Sequence, residues 1–377
     1  MKVFIMKKNL EVYNSSEQEF DLGIISYNLN TKSGNYGALL HSFAFQKYLD
    51  KRGIKSVIIS YSPYMFWNFI RKVVFSNIPF GFIRSIFIII KTHMFSNFYK
   101  KNNCVFTKNK YNHKNAETLE NIKRYCCETD VTWQCTKRGY KRFFMCDYSN
   151  MKNKDNIAYS VDTGSQDVPQ ERIEELKNYS KNFKYISIRH LNKLDEFKKT
   201  INRDDVVVTL DPVFLLDEKD YLQYFDDKKP KHDYVFVYNC KEYNSSMIEQ
   251  AKRFAKENNY KIKIINCCDT KCKHGYEKIP TLETPENFLK YLKNSKYVFT
   301  NSYHAICFSI IFKKDFFAFQ RGSNDEKIKT ILNISGLNNR LIENGIFSQT
   351  KINYNEVEAK MQPMIDFSKN WLNEALI

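Results

Sequence analysis

The sequence predicts an α/β protein made of two Rossmann-like domains that face a cleft. Short apolar runs of strand length recur along it, among them Gly23-Ile-Ile-Ser-Tyr27, Ser56-Val-Ile-Ile-Ser-Tyr61, Tyr185-Ile-Ser-Ile188, Tyr234-Val-Phe-Val-Tyr238 and Tyr297-Val-Phe-Thr300. Helical stretches lie between most of them, and strand, helix, strand at this spacing is a βαβ unit with parallel strands. At Tyr297-Val-Phe-Thr-Asn-Ser-Tyr-His304 an apolar run ends in a polar knot (Thr300, Asn301, Ser302, His304), and an apolar helix-like run follows at once. Ligands of open α/β sheets collect where strand ends give way to helix starts. The knot reads either as an N-cap before a core histidine or as a proton-moving histidine beside a bound anion.

In the first half, residues 23–27 form a buried strand. A loop over 28–35 leads into an amphipathic helix carrying Leu39, Leu40, Phe43, Phe45 and Leu49. Gly53 ends that helix and 56–61 is the second strand. The turn Gly34-Asn-Tyr-Gly37 lacks a full G-x-G-x-x-G, which argues against a dinucleotide site. It is either a tight loop with Gly37 opening the helix, or a place where Asn35, Tyr36 and Gly37 lie against a substrate. A helix is expected over 117–124, a strand over 126–133, a last strand over 156–161, and a helix over 169–183 started by Pro169. The boundary falls near residue 180, giving domains over 1–180 and 181–377. The second domain then holds strands at 185–188, 206–210, 234–238, 261–266, 297–300 and 316–319, with helices such as 246–258 and 285–294.

Residues 64–98 differ in character. Two apolar, aromatic-rich runs are interrupted by Arg71, Lys72, Arg84 and Lys91 and broken by Pro79 and Gly81. A spanning helix needs about twenty mostly apolar residues, so a transmembrane span is not expected. The stretch is either a helical pair packed on the first domain or an interfacial surface. On that surface Phe66, Trp67, Phe69 and Ile70 would form one apolar face, and Phe87, Ile88 and Ile89 another.

Hydrophobic residues make up 43% of the 377 and charged residues 27%, which excludes a disordered chain. The net charge of +17 favours anionic partners. No block of five basic residues and no nucleic-acid-binding motif is present, so nucleic acid is not an expected partner. The N-terminus lacks a secretory apolar core, so the ten cysteines are expected as reduced thiols in a cytoplasmic protein. Cys267, Cys268, Cys272 and His274 do not have zinc-finger spacing, and no metal or cofactor is expected.

Six segments in order carry a resemblance: Asp21-Leu-Gly-Ile-Ile-Ser-Tyr27 with Gly34-Asn-Tyr-Gly-Ala-Leu-Leu-His-Ser42, Ile157-Ala-Tyr-Ser-Val-Asp-Thr-Gly164, Tyr185-Ile-Ser-Ile-Arg-His190, Val207-Val-Thr-Leu-Asp-Pro-Val213, Tyr234-Val-Phe-Val-Tyr238 and the histidine segment. Over roughly residues 20 to 345 the chain resembles the polysaccharide pyruvyl transferase family. The resemblance implies transfer of pyruvate from phosphoenolpyruvate onto two hydroxyls of a sugar, making a cyclic ketal on a surface glycan precursor. It also implies a fold similar to GT-B glycosyltransferases, with the tail from 354 to 377 returning to the first domain. The acceptor would be lipid-linked or nucleotide-linked, and an anionic membrane surface is the further expected partner of a cytoplasmic, peripheral enzyme.

Ketal formation needs a proton shuttle and cations around the donor's carboxylate and phosphate. His304 matches the family's catalytic histidine. Arg189 matches a family arginine whose fork can hold a carboxylate or phosphate; otherwise it would pair with Asp195 or Glu196. Ser302 stands where several members carry an arginine. Asp130 and Trp133 match a loop motif in which Glu128 replaces a small residue. Arg321, Ser323, Asn324 and Lys327 follow a strand end and either complete an anion pocket or form an N-cap with solvated charges. Asp211 reads as a turn cap, and Asp130 and Asp162 as weaker candidates for bases. The alternatives are a glycosyltransferase using a nucleotide sugar, and a non-catalytic glycan- or membrane-binding member of a synthesis complex.

Overall fold

Two all-parallel sheets carry the chain. The computed structural model describes residues 19–27, 35–61, 81–136, 139–164, 168–241, 243–268, 281–320, 326–343 and 350–377, with backbone alone at 81–89, 241 and 267–268. The first half contains β1 (Phe20–Ile25), α1 (Tyr36–Lys51), β2 (Ser56–Ile58), α2 (Gly81–Lys101), β3 (Ile122–Glu128), β4 (Ile157–Val161), α3 (Ile173–Ser180), β5 (Tyr185–Ile188), α4 (Leu194–Ile201) and β6 (Val207–Val208). Its six strands pair in the order β2-β1-β3-β4-β5-β6. The second half contains α5 (Glu218–Leu222), β7 (Tyr234–Lys241), α6 (Ser245–Glu257), β8 (Lys261–Cys268), α7 (Pro285–Asn294), β9 (Tyr297–Thr300), α8 (Tyr303–Ile311), β10 (Asp315–Phe319), α9 (Glu326–Ser335), β11 (Leu341–Ile342) and α10 (Tyr354–Leu376). Its five strands run β11-β10-β9-β7-β8.

The division between the sheets corrects the expected boundary. Tyr185–Ile188 and Val207–Val208 pair with the first sheet, β5 against β4 and β6 against β5. The changeover therefore falls between Val208 and Tyr234, not near residue 180. Strand and helix alternate evenly through this region, so periodicity alone cannot place the break. The exposed charge run 226–233 marks it. A second correction concerns residues 117–124. Only Ala116–Thr118 form a 3-10 turn, and Ile122–Glu128 is a strand. That strand pairs with both β1 and β4, and tertiary pairing overrides the local helical spacing.

Helix α1 begins where Asn35 caps it, its Oδ1 accepting from Gly37 N at 3.0 Å. Ordinarily a helix shows one buried stripe, but twelve of these sixteen residues are buried. The reason is its place: α1 touches both β2 and the second half's α7 and α8. Tyr36 pins that junction, its ring stacked on Phe288 at 4.7 Å and its hydroxyl donating to the Glu283 carbonyl. From the other end of the chain, α10 returns to the first sheet. Ser368 Oγ accepts from Leu210 N, Tyr48 Oη donates to Asn373, and Arg124 donates to the Ala375 and Leu376 carbonyls.

Residues 64–80, including Phe66, Trp67, Phe69, Ile70, Arg71 and Lys72, lie outside the described residues, as do the side chains of Arg84, Phe87, Ile88 and Ile89. The later part of α2 is core: Phe95, Phe98 and Tyr99 are buried, with Phe43 of α1 packed on the last two. Lys91 was expected to flank an exposed apolar face. Instead it is 3% exposed, its Nζ 4.5 Å above the Tyr36 ring. Among the described residues, no helix is long and apolar enough to cross a membrane.

Candidate active site

Parallel strands end at the same edge, so residues just after them share one rim of the sheet. On the first sheet that rim receives Glu128, Thr129 and Asp130 after β3, Asp162 after β4, Arg189 and His190 after β5, and Asp211 after β6. The second sheet supplies His304, the second residue of α8, just beyond β9. Arg189 thus comes from the opposite sheet to His304, not from the same one as the expected boundary implied. The two nevertheless meet.

Asp211 joins them. Its Oδ2 lies 3.3 Å from Arg189 Nη1 and 3.5 Å from His304 Nε2, and Thr129 Oγ1 donates to it at 3.3 Å. Its Oδ1 accepts from Val213 N at 3.1 Å, so the expected turn cap is present and is only half of the residue's role. Arg189 does not pair with Asp195 or Glu196. Its Nη2 bonds Asp162 and stands 3.8 Å from Asp130, so one buried guanidinium answers three carboxylates. His190 Nε2 bonds Asp162 Oδ1 at 3.0 Å, and Gly164 N donates to the same oxygen at 2.7 Å. Lys327 completes the group, with Nζ 4.0 Å from Asp130 Oδ1 and 5.8 Å above the Tyr303 ring.

Burial and charge divide these groups. Burial pushes the Asp162 carboxyl up, but Arg189 and His190 outweigh it and hold it well below the usual range. Asp211 is likewise lowered, His304 and Arg189 outweighing burial. Burial acts against the Arg189 charge and its carboxylates reverse that, so its pKa is raised. For His304, burial pushes the imidazole down; Asp211 opposes this, yet the net shift is downward. A histidine below its ordinary value of about 6.5 is neutral at pH 7 and can accept a proton.

Backbone packing fixes the imidazole. A Cβ placed on Gly37 would fall 2.2 Å from His304 Nδ1 and 2.6 Å from its Cγ, so only glycine lets α1 start there. Gly37 thus permits close approach to the histidine. Asn35 acts as the cap and Tyr36 as the interdomain pin. Much of the polar knot is structural too. Thr300 Oγ1 donates to Tyr238 O and accepts from Ser302 N, and Asn301 Oδ1 accepts from Cys240 N. Ser302 is buried, and its side chain makes no cap bond to α8. Arg321, Ser323, Asn324, Cys272 and His274 lie outside the described residues. A cavity of about 570 Å³ opens between Leu191 and Asn192 on one side and Glu326, Lys329 and Thr330 on the other; its lining adjoins His190 and Lys327 in sequence but includes none of the cluster residues.

Residues 35–323 match the profile of the polysaccharide pyruvyl transferases. The chain belongs to the polysaccharide pyruvyl transferase family. The matched span runs from the α1 cap through His304, so every residue of the cluster except Lys327 lies inside it. Curated protein sequences give no match to this pyruvyl transferase family member. Among solved structures it is similar to a functionally uncharacterised protein of Klebsiella pneumoniae, at 15% identity and TM-score 0.35 over 69% of this chain and 88% of that one. Further likenesses are to a UDP-N-acetylglucosamine 2-epimerase described for Listeria monocytogenes, at 8% identity and TM-score 0.46 over 95% and 90% of the two chains. The third is S. aureus MnaA bound to UDP, at 11% identity and TM-score 0.45 over 94% and 91%. Likenesses at this level carry no argument about activity.

Reading the sequence alone misses two members of the site, His41 and Glu128. His41, Ser42 and Gln46 are polar residues inside a helix otherwise apolar on nearly every side, which is the signal that could have found them. Glu128 stands out as the large acidic residue where the family carries a small one. Both are fully buried, and His41 Nδ1 lies 3.0 Å from each Glu128 oxygen.

Proposed function

We propose that this protein transfers pyruvate from phosphoenolpyruvate to a sugar of a surface-polysaccharide precursor, closing a cyclic ketal. The observation that carries the reading is the meeting of His304 and Arg189, from opposite sheets, at one carboxylate oxygen of Asp211. Phosphoenolpyruvate is the co-substrate, and the reaction requires no metal or other cofactor. Its methylene carbon takes up one proton, so that the neighbouring carbon becomes electrophilic. A first sugar hydroxyl adds to that carbon as its own proton leaves. A second hydroxyl then displaces phosphate, which departs with the second proton. Neutral His304 relays both protons, passing that of the first hydroxyl to the methylene carbon and that of the second to the departing phosphate, while Asp211 steadies the imidazolium formed in between. Lys327 offers positive charge to the donor's carboxylate and phosphate, and Arg189, whose Nη atoms already bond Asp162 and Asp211, has its Nε left to offer. The acceptor sugar, carried on a lipid or a nucleotide, would lie in the cavity beside Asn192 and Glu326, a volume suited to a small ligand. A cytoplasmic enzyme held at an anionic membrane surface would meet a lipid-linked acceptor there.

The test is to incubate the protein with phosphoenolpyruvate and a panel of lipid- and nucleotide-linked sugars, following phosphate release and an acid-labile ketal. Acceptor-dependent release of both supports the proposal. No product across the panel, together with thermal stabilisation by a nucleotide sugar and none by phosphoenolpyruvate, would replace it with a glycosyltransferase.

A further inference from the structure

We infer that His41 and Glu128 form a buried charge pair that sets the protonation state of His304, making His41 a positioning residue for the proton carrier. The His41 and His304 rings lie 5.7 Å apart and nearly parallel, 24° between planes. Glu128 binds His41 at the ring edge: both carboxylate oxygens sit 3.0 Å from Nδ1. Ser42 Oγ donates to Glu128 Oε1 at 2.6 Å and lies 2.7 Å from Ser26 Oγ, so the carboxylate is held from two directions. His41 Nε2 is buried without a hydrogen-bond partner among the described residues, as is His304 Nε2.

Packing alone does not call for this arrangement. A buried ion pair is often no more stable than apolar side chains of the same volume, so its presence suggests a use. Four charged or titratable groups act on or adjoin His41: Glu128 at the end of β3, Asp130 beyond it, Asp211 after β6 and His304 on α8. His304 is faced by Asp211, His41 and Asp130. Burial pushes the His41 imidazolium down, but Glu128 outweighs it and the net shift is upward. At His304, burial pushes downward and the His41 charge adds to it against Asp211. One histidine therefore keeps its proton so that the other stays free to take one.

The titration stands on the geometry; its value for turnover rests on the proposed function. Histidine side-chain NMR separates the two, with His304→Gln assigning the His304 signal. In the wild type, His304 should titrate below about 6.5 while His41 stays charged throughout that range. Glu128→Gln keeps the shape and removes the carboxylate, so His41 should lose its proton. His304 should then titrate higher, by less than the roughly two pH units that a lone unit charge at this distance gives at an effective dielectric near 20, because the Glu128 charge is lost with it. His41→Gln should move it the same way, and the acid limb of phosphate release should follow. A wild-type His304 titrating at or above the ordinary value, a His41 titrating at or below it, or an unmoved His304 in a folded Glu128→Gln protein overturns the inference. Should neither variant fold, the wild-type order of titration decides alone. Linked titrations without pyruvyl transfer would sink the proposed function and leave the inference standing. An active enzyme with unlinked titrations would do the reverse.

Discussion

Replacing Gly37 with alanine tests whether the start of α1 holds His304 in place. The added methyl would lie 2.2 Å from Nδ1, 2.6 Å from Cγ and 2.9 Å from Cε1 of the imidazole. Ordinary carbon contacts begin near about 3.5 Å, so the ring or the helix start must retreat by about 1 Å. The ring has little room, with His41 stacked on it and Asp211 at its Nε2. Overpacking of this kind costs about 1 to 3 kcal/mol, partly offset by the roughly 1 kcal/mol that alanine gains over glycine in a helix. The kinetic effect should be larger, since misplacing a reacting group by about 1 Å can cost on the order of a hundredfold in rate. The assay is acceptor-dependent phosphate release, with thermal unfolding as the control for folding. A Gly37→Ala protein with wild-type rate and an unmoved His304 titration would refute the close approach as a functional constraint.

The remaining expectations concern stability. Arg189→Ala leaves Asp162 and Asp211 buried without their main cation, and breaking such a pair costs about 3 to 5 kcal/mol; denaturant unfolding at pH 7 should show it, and a loss under about 1 kcal/mol would contradict the account. Asp162 and Asp211 are held below their unfolded pKa, so their contribution is complete above about pH 4 and lost as pH falls through their folded values. The wild-type melting temperature should fall over that acid range, and Asp162→Asn should flatten the dependence. Leu372→Ala, at a fully buried position of α10, should cost about 2 to 5 kcal/mol by thermal or denaturant melts, because that helix ties the chain's end to the first sheet.

Much of this was legible in the sequence for a physical reason. Buried parallel strands are short continuous apolar runs, and their helices carry a different period. That is why 23–27, 56–61, 234–238 and 297–300 were readable, and with them the junction that presents His304. The assignment of β5 and β6 was not readable, because sheet membership depends on pairing partners distant in sequence. Glu128 and His41 were hidden for a related reason. Each is a titratable group at a buried position, a carboxylate closing a strand and an imidazole on the buried part of a helix. Only the fold shows that 87 residues of separation close to 3.0 Å. The place of Arg189 at a strand end was readable, and Asp130 and Asp162 stood out as weaker candidates for bases, but their contacts with Arg189 were not, since lone aspartates after strands usually cap turns.

The central claim is that neutral His304, set against Asp211, carries the proton. The direct measurement is the rate of acceptor-dependent phosphate release by His304→Ala relative to wild type, with phosphoenolpyruvate saturating and both proteins shown to be folded. The expected loss is about a hundred- to ten-thousand-fold, the range for removing a general acid–base group. A His304→Ala protein turning over at nearly the wild-type rate would contradict the account.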